Sequence, residues 1–168
     1  MSQAGILKSS SGGVTPSPAL SSLSIWLFST IPNATGDGTS ANIIWDQSDF
    51  NNGVYSFDAS GNITVPNKGD YLLVWQVILV GNVSGVNTFG ATSIMVNGGP
   101  YSQYIYNPGI IVVPADNESG SSGQIGLNLN AGDKITIAAF SSGGTKVVGI
   151  QGSQGGYRTT CATIVQIA

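Results

Sequence analysis

Two pairs of carboxylates are the residues best placed to do chemistry in this sequence. Asp46 and Asp49 stand three apart between Trp45 and Phe50, and Asp116 and Glu118 flank Asn117. Paired carboxylates can divide acid and base roles in glycoside cleavage, or offer hard oxygen ligands to calcium. A plainer reading competes with both, because Asp is favoured in turns by its local hydrogen bonds to the backbone. Asp70 and Asp133, each following a glycine, belong to that plainer class. Histidine is absent, which removes the commonest general base, the commonest metal ligand and every triad built on imidazole. The single Cys161 lies in the apolar run Cys161-Ala162-Thr163-Ile164-Val165 and reads as a small buried hydrophobe. Gly36-Asp37-Gly38 precedes a strand-like segment, whereas a dinucleotide loop opens a helix. Neither a Walker loop nor a Gly-x-Ser-x-Gly elbow occurs. The expectation is a protein with no enzymatic activity and no cofactor beyond a structural calcium at Asp46, Asp49, Asp116 or Glu118.

Composition narrows the remaining classes. Charged residues make up 8% of the 168 residues, and the net charge is -3. Nucleic acid calls for a basic face, so it is not an expected partner. The longest apolar run, Tyr71 to Val80, is ten residues broken by Gln76. A membrane helix needs about twenty, so membrane insertion is not expected. Hydrophobic residues at 41% with so little charge favour a folded core over disorder. Residues 1–22 are rich in Ser, Gly and Pro and read as a flexible arm, leaving 23–168 as one domain. The arm shows no apolar signal-peptide core. Sequons at Asn33, Asn62, Asn82 and Asn117 read as chance in so Asn-, Ser- and Thr-rich a chain.

Short apolar segments punctuated by Gly and Asn turns must position whatever the loops carry. Ten are strand-like: 24–28, 41–45, 54–58, 63–65, 71–80, 92–96, 110–113, 124–129, 134–140 and 159–167. β-Branched and aromatic residues dominate them, and none shows a capped helical period. One all-β domain of sandwich, barrel or jelly-roll type follows.

The segment Tyr71 to Val80 adds a constraint. Tyr71, Leu73, Trp75, Val77 and Leu79 point to one face, and Leu72, Val74, Gln76, Ile78 and Val80 to the other. A strand with one wet face should alternate apolar and polar, and this one is apolar on both. Ile110 to Val113 and Ile135 to Phe140 are also two-sided. A neighbouring subunit is the economical cover, since monomers rarely expose large apolar patches; a long loop folded over the sheet is the alternative. Leu72, Val74, Gln76 and Ile78 are therefore candidate interface residues. So are Tyr101, Tyr104 and Tyr106, which cluster near Pro100 and Pro108 as a recognition loop or a strand.

Residues 53 to 75 resemble the signature of the complement C1q and tumour necrosis factor superfamily. Tyr55, Gly61, Thr64, Pro66, Gly69, Tyr71 and Trp75 stand where that signature places such residues, while Ile63 and Leu73 each replace a Phe. Val96-Asn97-Gly98 resembles the strand-ending Asn-Gly turn, and Leu127 to Ile135 is similar to the Leu-x-Leu-x-x-Gly-Asp-x-Val segment. The last segment, Thr159 to Ile167, lacks the usual Phe-x-Gly. The resemblance covers about residues 23 to 168. It implies a ten-stranded jelly-roll sandwich that forms a compact trimer and acts as a binding head. Some C1q-like domains bind calcium near the trimer axis.

The leading functional expectation is thus a non-enzymatic homotrimeric head on the surface of a larger particle, a virion or spore, meeting a protein or glycan ligand there. This places it outside the cell or on a particle exterior. The alternative is a released, cytokine-like ligand for a cell receptor. A small carbohydrate-active enzyme using Asp46 and Asp49 is the third.

Overall fold

The computed structural model describes residues 20–83, 86–87, 90–107 and 118–168, with side chains for all of these except 102–107. In the central strand, every second side chain from Tyr71 onward is sealed. Tyr71, Leu73, Trp75, Val77 and Leu79 are each no more than 3% exposed.

Thirteen strands occur among the described residues. They are β1 (Ser22–Trp26), β2 (Ile31–Thr35), β3 (Ser40–Asn42), β4 (Gln47–Asn52), β5 (Ser56–Phe57), β6 (Asn62–Thr64) and β7 (Gly69–Val80). Then follow β8 (Gly90–Val96), β9 (Gly99–Asn107), β10 (Glu118–Leu129), β11 (Lys134–Ser141), β12 (Val148–Ile150) and β13 (Cys161–Gln166). One sheet runs β2-β12-β7-β13-β1-β4, with β10 also on β7; the other runs β5-β6-β11-β8-β9, with β3 also on β11. All pairings are antiparallel. This is the all-β jelly roll read from the sequence.

The two sheets meet over one core. Leu23 and Ile25 of β1, the inward row of β7 and Ile164 of β13 face Ile63 of β6, Ile94 of β8, and Ile135 and Ile137 of β11. Burying each of these side chains stabilises the fold by about 1.5–3 kcal/mol. A hydrogen bond ties the layers: the Trp75 indole donates to Thr92 Oγ1 at 2.9 Å. β11 is buried on both faces within the chain, Thr136 and Ala138 included.

Nine of the ten expected segments overlap strands, 41–45 only at 41–42 and 54–58 only at 56–57, and 110–113 lies outside the described residues. The structure adds β2, β4, β9 and β12. β2 contains Pro32-Asn33, a dipeptide that ordinarily favours a turn. β4 is exposed along its whole length and pairs only with β1, so no alternation of burial announces it. Polar edge strands of this kind discourage pairing with other chains.

The domain also begins earlier than position 23. Ser21 is buried, its hydroxyl 2.9 Å from Tyr55 Oη and 3.0 Å from Gln166 Oε1, and Ser22 opens β1. The expected arm of residues 1–22 therefore gives up its last two residues to the fold. At Gly61 the turn between β5 and β6 needs glycine, with φ 80° and the Ile43 carbonyl where a Cβ would stand.

Candidate functional site

The outer face of the first sheet is where the structure leaves apolar side chains without cover. Strand register builds it in rows. Leu72 lies beside Val165, which lies beside Ser22 and then Asn52. Val74 is followed in the same way by Thr163, Ser24 and Phe50. Gln76 is followed by Cys161, Trp26 and Gln47. On the other side of β7, Gly126, Gln124, Ser122 and Gly120 face Leu72, Val74, Gln76 and Ile78. Two glycines and a serine beside large aliphatic residues leave a hollow. A depression of about 420 Å³ is lined by Val74, Gln76, Ser122, Gln124, Cys161 and Thr163.

Exposure divides β7 in two. Its inward row is sealed, whereas Val74 is 41% exposed, Gln76 is exposed, and Leu72, Ile78 and Val80 are half-buried. The structure thus brings Leu72, Val74, Gln76 and Ile78 onto one face, and the chain's described residues do not close it. Tyr101 is exposed but stands on β9, at the end of the other sheet. Tyr104 and Tyr106 lie on the same strand, and their side chains are outside the described set.

One end of the face carries a cluster that sequence reasoning missed. The Arg158 guanidinium sits 5.5 Å from the centre of the Trp26 ring and pairs with Asp49 at 2.5 Å. Phe28 meets Trp26 edge-on at 5.9 Å and is itself exposed. The signal for Trp26 was present, since Ile25 and Leu27 are buried while Trp26 and Phe28 alternate with them to the other side. Nothing local announces Arg158, which arrives by tertiary folding. The Trp26 and Trp45 indole nitrogens are buried donors with no hydrogen-bond acceptor among the described residues.

Cys161 is half-buried on this open face, not in the core, so the sequence reading as a core hydrophobe is corrected. Cys161 alternates with the sealed Ala162 and Ile164, so it points outward. Burial pushes its thiol up, with Arg158 pulling the other way.

The carboxylates have partners of their own. Asp46 accepts hydrogen bonds from the backbone amides of Phe28 at 2.6 Å and Ser29 at 3.1 Å. Asp49 holds Arg158, and Ser24 Oγ lies 3.5 Å away. Glu118 Oε1 accepts from Gln151 Nε2 at 2.5 Å. Asp116 lies outside the described residues. Among the described residues, no group of three His, Cys, Asp or Glu stands together as a metal-binding set. Asp133 accepts from Asn97 Nδ2 at 2.8 Å and from the Asn130 amide at 2.8 Å, and these bonds hold its carboxyl below the ordinary value. It is the structural turn residue the sequence indicated.

No helix among the described residues is long and apolar enough to cross a membrane. No family model matches the chain, and no curated relative matches it in sequence. Solved structures do match in shape. Murine APRIL shares 19% identity and a TM-score of 0.57, over 88% of this chain and 99% of that one. The Eiger TNF of S. frugiperda shares 10% identity and a TM-score of 0.61, over 89% and 93%. At these identities the likeness is one of fold, and the fold is the tumour necrosis factor and C1q type of jelly roll.

Proposed function

We propose that this chain is one subunit of a non-enzymatic homotrimer that serves as a binding head. The observation that carries this reading is the open face of β7. Val74, Leu72 and Ile78 stand beside Val165, Cys161 and Trp26 on a sheet whose opposite side already holds the core. Apolar surface of this kind is removed from water by a partner, and a closed ring of identical subunits supplies one without a second gene product. The trimeric number comes from the superfamily that residues 53 to 75 resemble. Calcium is not needed in this reading, because Asp46, Asp49 and Glu118 already hold protein donors. The same partners argue against a glycosidase, since Asp46 is engaged on two amides and Asp49 on a guanidinium.

The head is displayed on a particle exterior, where its sparse charge and Ser-, Thr- and Asn-rich surface meet a protein or glycan ligand. A second reading, a released ligand for a cell receptor, draws support from the structural likeness to murine APRIL and Eiger TNF. Immunolabelling of intact particles against the surrounding medium separates the two.

The assembly itself is tested by Val74→Asp. Val74 is already 41% exposed, so a carboxylate there leaves the single subunit folded. On a dry interface the same carboxylate is an unpaired charge and costs several kcal/mol. Sedimentation velocity should show a folded monomer for this variant and an assembly for the parent. An assembled Val74→Asp protein would place the contact elsewhere.

A further inference from the structure

The chain contains two Asn-Gly pairs, Asn52-Gly53 and Asn97-Gly98, and the structure treats them in opposite ways. Asn-Gly is the dipeptide most open to spontaneous deamidation, because glycine puts no side chain in the way of its own amide nitrogen. In this reaction the Gly backbone nitrogen attacks the Asn side-chain carbonyl carbon. A C–N bond forms, the amide nitrogen leaves as ammonia with the displaced proton, and a five-membered succinimide remains. Water then adds to either imide carbonyl, giving an aspartyl or an isoaspartyl residue. Water is the only co-reactant.

At Asn97 both ends of the reacting carboxamide are held. Its side-chain Nδ2 donates to Asp133 Oδ1 at 2.8 Å, and its Oδ1 accepts from the Lys134 amide at 2.9 Å. Its own amide donates to the Lys134 carbonyl at 2.9 Å. The pair forms the tight turn between β8 and β9, with φ 53° at Asn97 and 78° at Gly98. Swinging the carboxamide toward Gly98 breaks both side-chain bonds together.

At Asn52 nothing comparable holds. It is the last residue of β4, an edge strand paired only with β1, and it is exposed. Its side chain makes no hydrogen bond among the described residues. The chain immediately beyond it is strained. Val54 has φ 66°, a left-handed conformation costly for a β-branched residue, and it is 86% exposed. That strain favours local opening of the turn, and a strand end frays more readily than a clamped hairpin.

We infer that Asn52 is the chain's site of spontaneous deamidation and isoaspartate formation, and that the Asn97–Asp133–Lys134 clamp protects the second Asn-Gly pair. The modification lands beside a crowded point. Gly53 packs so closely on Ser21 that no Cβ fits there, and the Asn51 side chain brackets Tyr55 through both its amide and its carbonyl. An isoaspartyl link inserts a methylene into the main chain at this margin, and either product adds a negative charge.

The two pairs fall on different tryptic peptides, since cleavage after Lys68 and Lys134 separates them. The full-length folded protein is aged in mildly alkaline buffer and digested, and fragmentation mass spectrometry follows amide-to-acid conversion at each position. Asn52 should convert faster than Asn97 by roughly tenfold or more, given the hydrogen bonds that opening Asn97 must break. In denaturant the two rates should converge. Conversion of Asn97 as fast as Asn52 in the folded protein, or a rate difference that survives denaturation, overturns the inference. Two variants sharpen the test. Asn52→Gln should abolish the early conversion and leave Asn97 slow. Asp133→Ala should accelerate Asn97, with a cooperative thermal transition of the same sample reporting that the fold is intact.

Discussion

Trp75 and Thr92 join the two layers of the sandwich by a single buried hydrogen bond, indole Nε1 to hydroxyl at 2.9 Å. Thr92 Oγ1 lies 3.0 Å from Ser121 Oγ, so β7, β8 and β10 share one polar point inside an apolar core. Thr92→Val keeps the shape and leaves the indole and Ser121 with no partner. A buried polar group without a partner costs about 1–3 kcal/mol. For a chain of this length the melting temperature should fall by roughly 5–10 °C. A thermal scan showing no loss would mean that this polar point contributes nothing to holding the layers together.

Tyr55 makes stability depend on pH at the alkaline end. Burial pushes its phenol up to about 12, with Ser21 opposing and Tyr71 adding. The neutral phenol is therefore favoured by the fold. Its contribution is fully present below the ordinary value of 10.0 and is lost as pH rises from there toward about 12. Melting temperatures should decline across that window. Tyr55→Phe should decline less steeply, from a lower starting point because Ser21 loses one of its two hydroxyl partners and keeps only Gln166.

Asp46 anchors the loop between β1 and β2 through the amides of Phe28 and Ser29. Asp46→Ala should lower stability by about 1–2 kcal/mol, as loss of a capping carboxylate does. The parent and the variant should each melt at one temperature whether calcium or a chelator is added. A calcium-dependent rise that vanishes in the variant would restore the metal reading of the loop carboxylates.

The parts of this molecule legible in the sequence are those where a local rule and the tertiary fold agree. Gly61 is legible because a turn that crowds the Ile43 carbonyl admits only glycine. The two faces of β7 are legible because side chains alternate along a strand whatever surrounds it. Other pieces escaped for physical reasons. β4 is an all-exposed edge, and β12 is three residues long, so neither offers a period to read. Cys161 sits one position out of phase with the core, which a run of apolar letters does not reveal. Arg158 reaches Trp26 and Asp49 only because β13, β1 and β4 lie side by side.

A homotrimer requires that copies of the same chain close the outer face of β7. Light scattering coupled to size exclusion measures this most directly, because it yields mass without assuming shape. At micromolar concentration the expected mass is near three times the subunit's 17.1 kDa. A monodisperse peak at 17.1 kDa, unchanged on concentration, would contradict it.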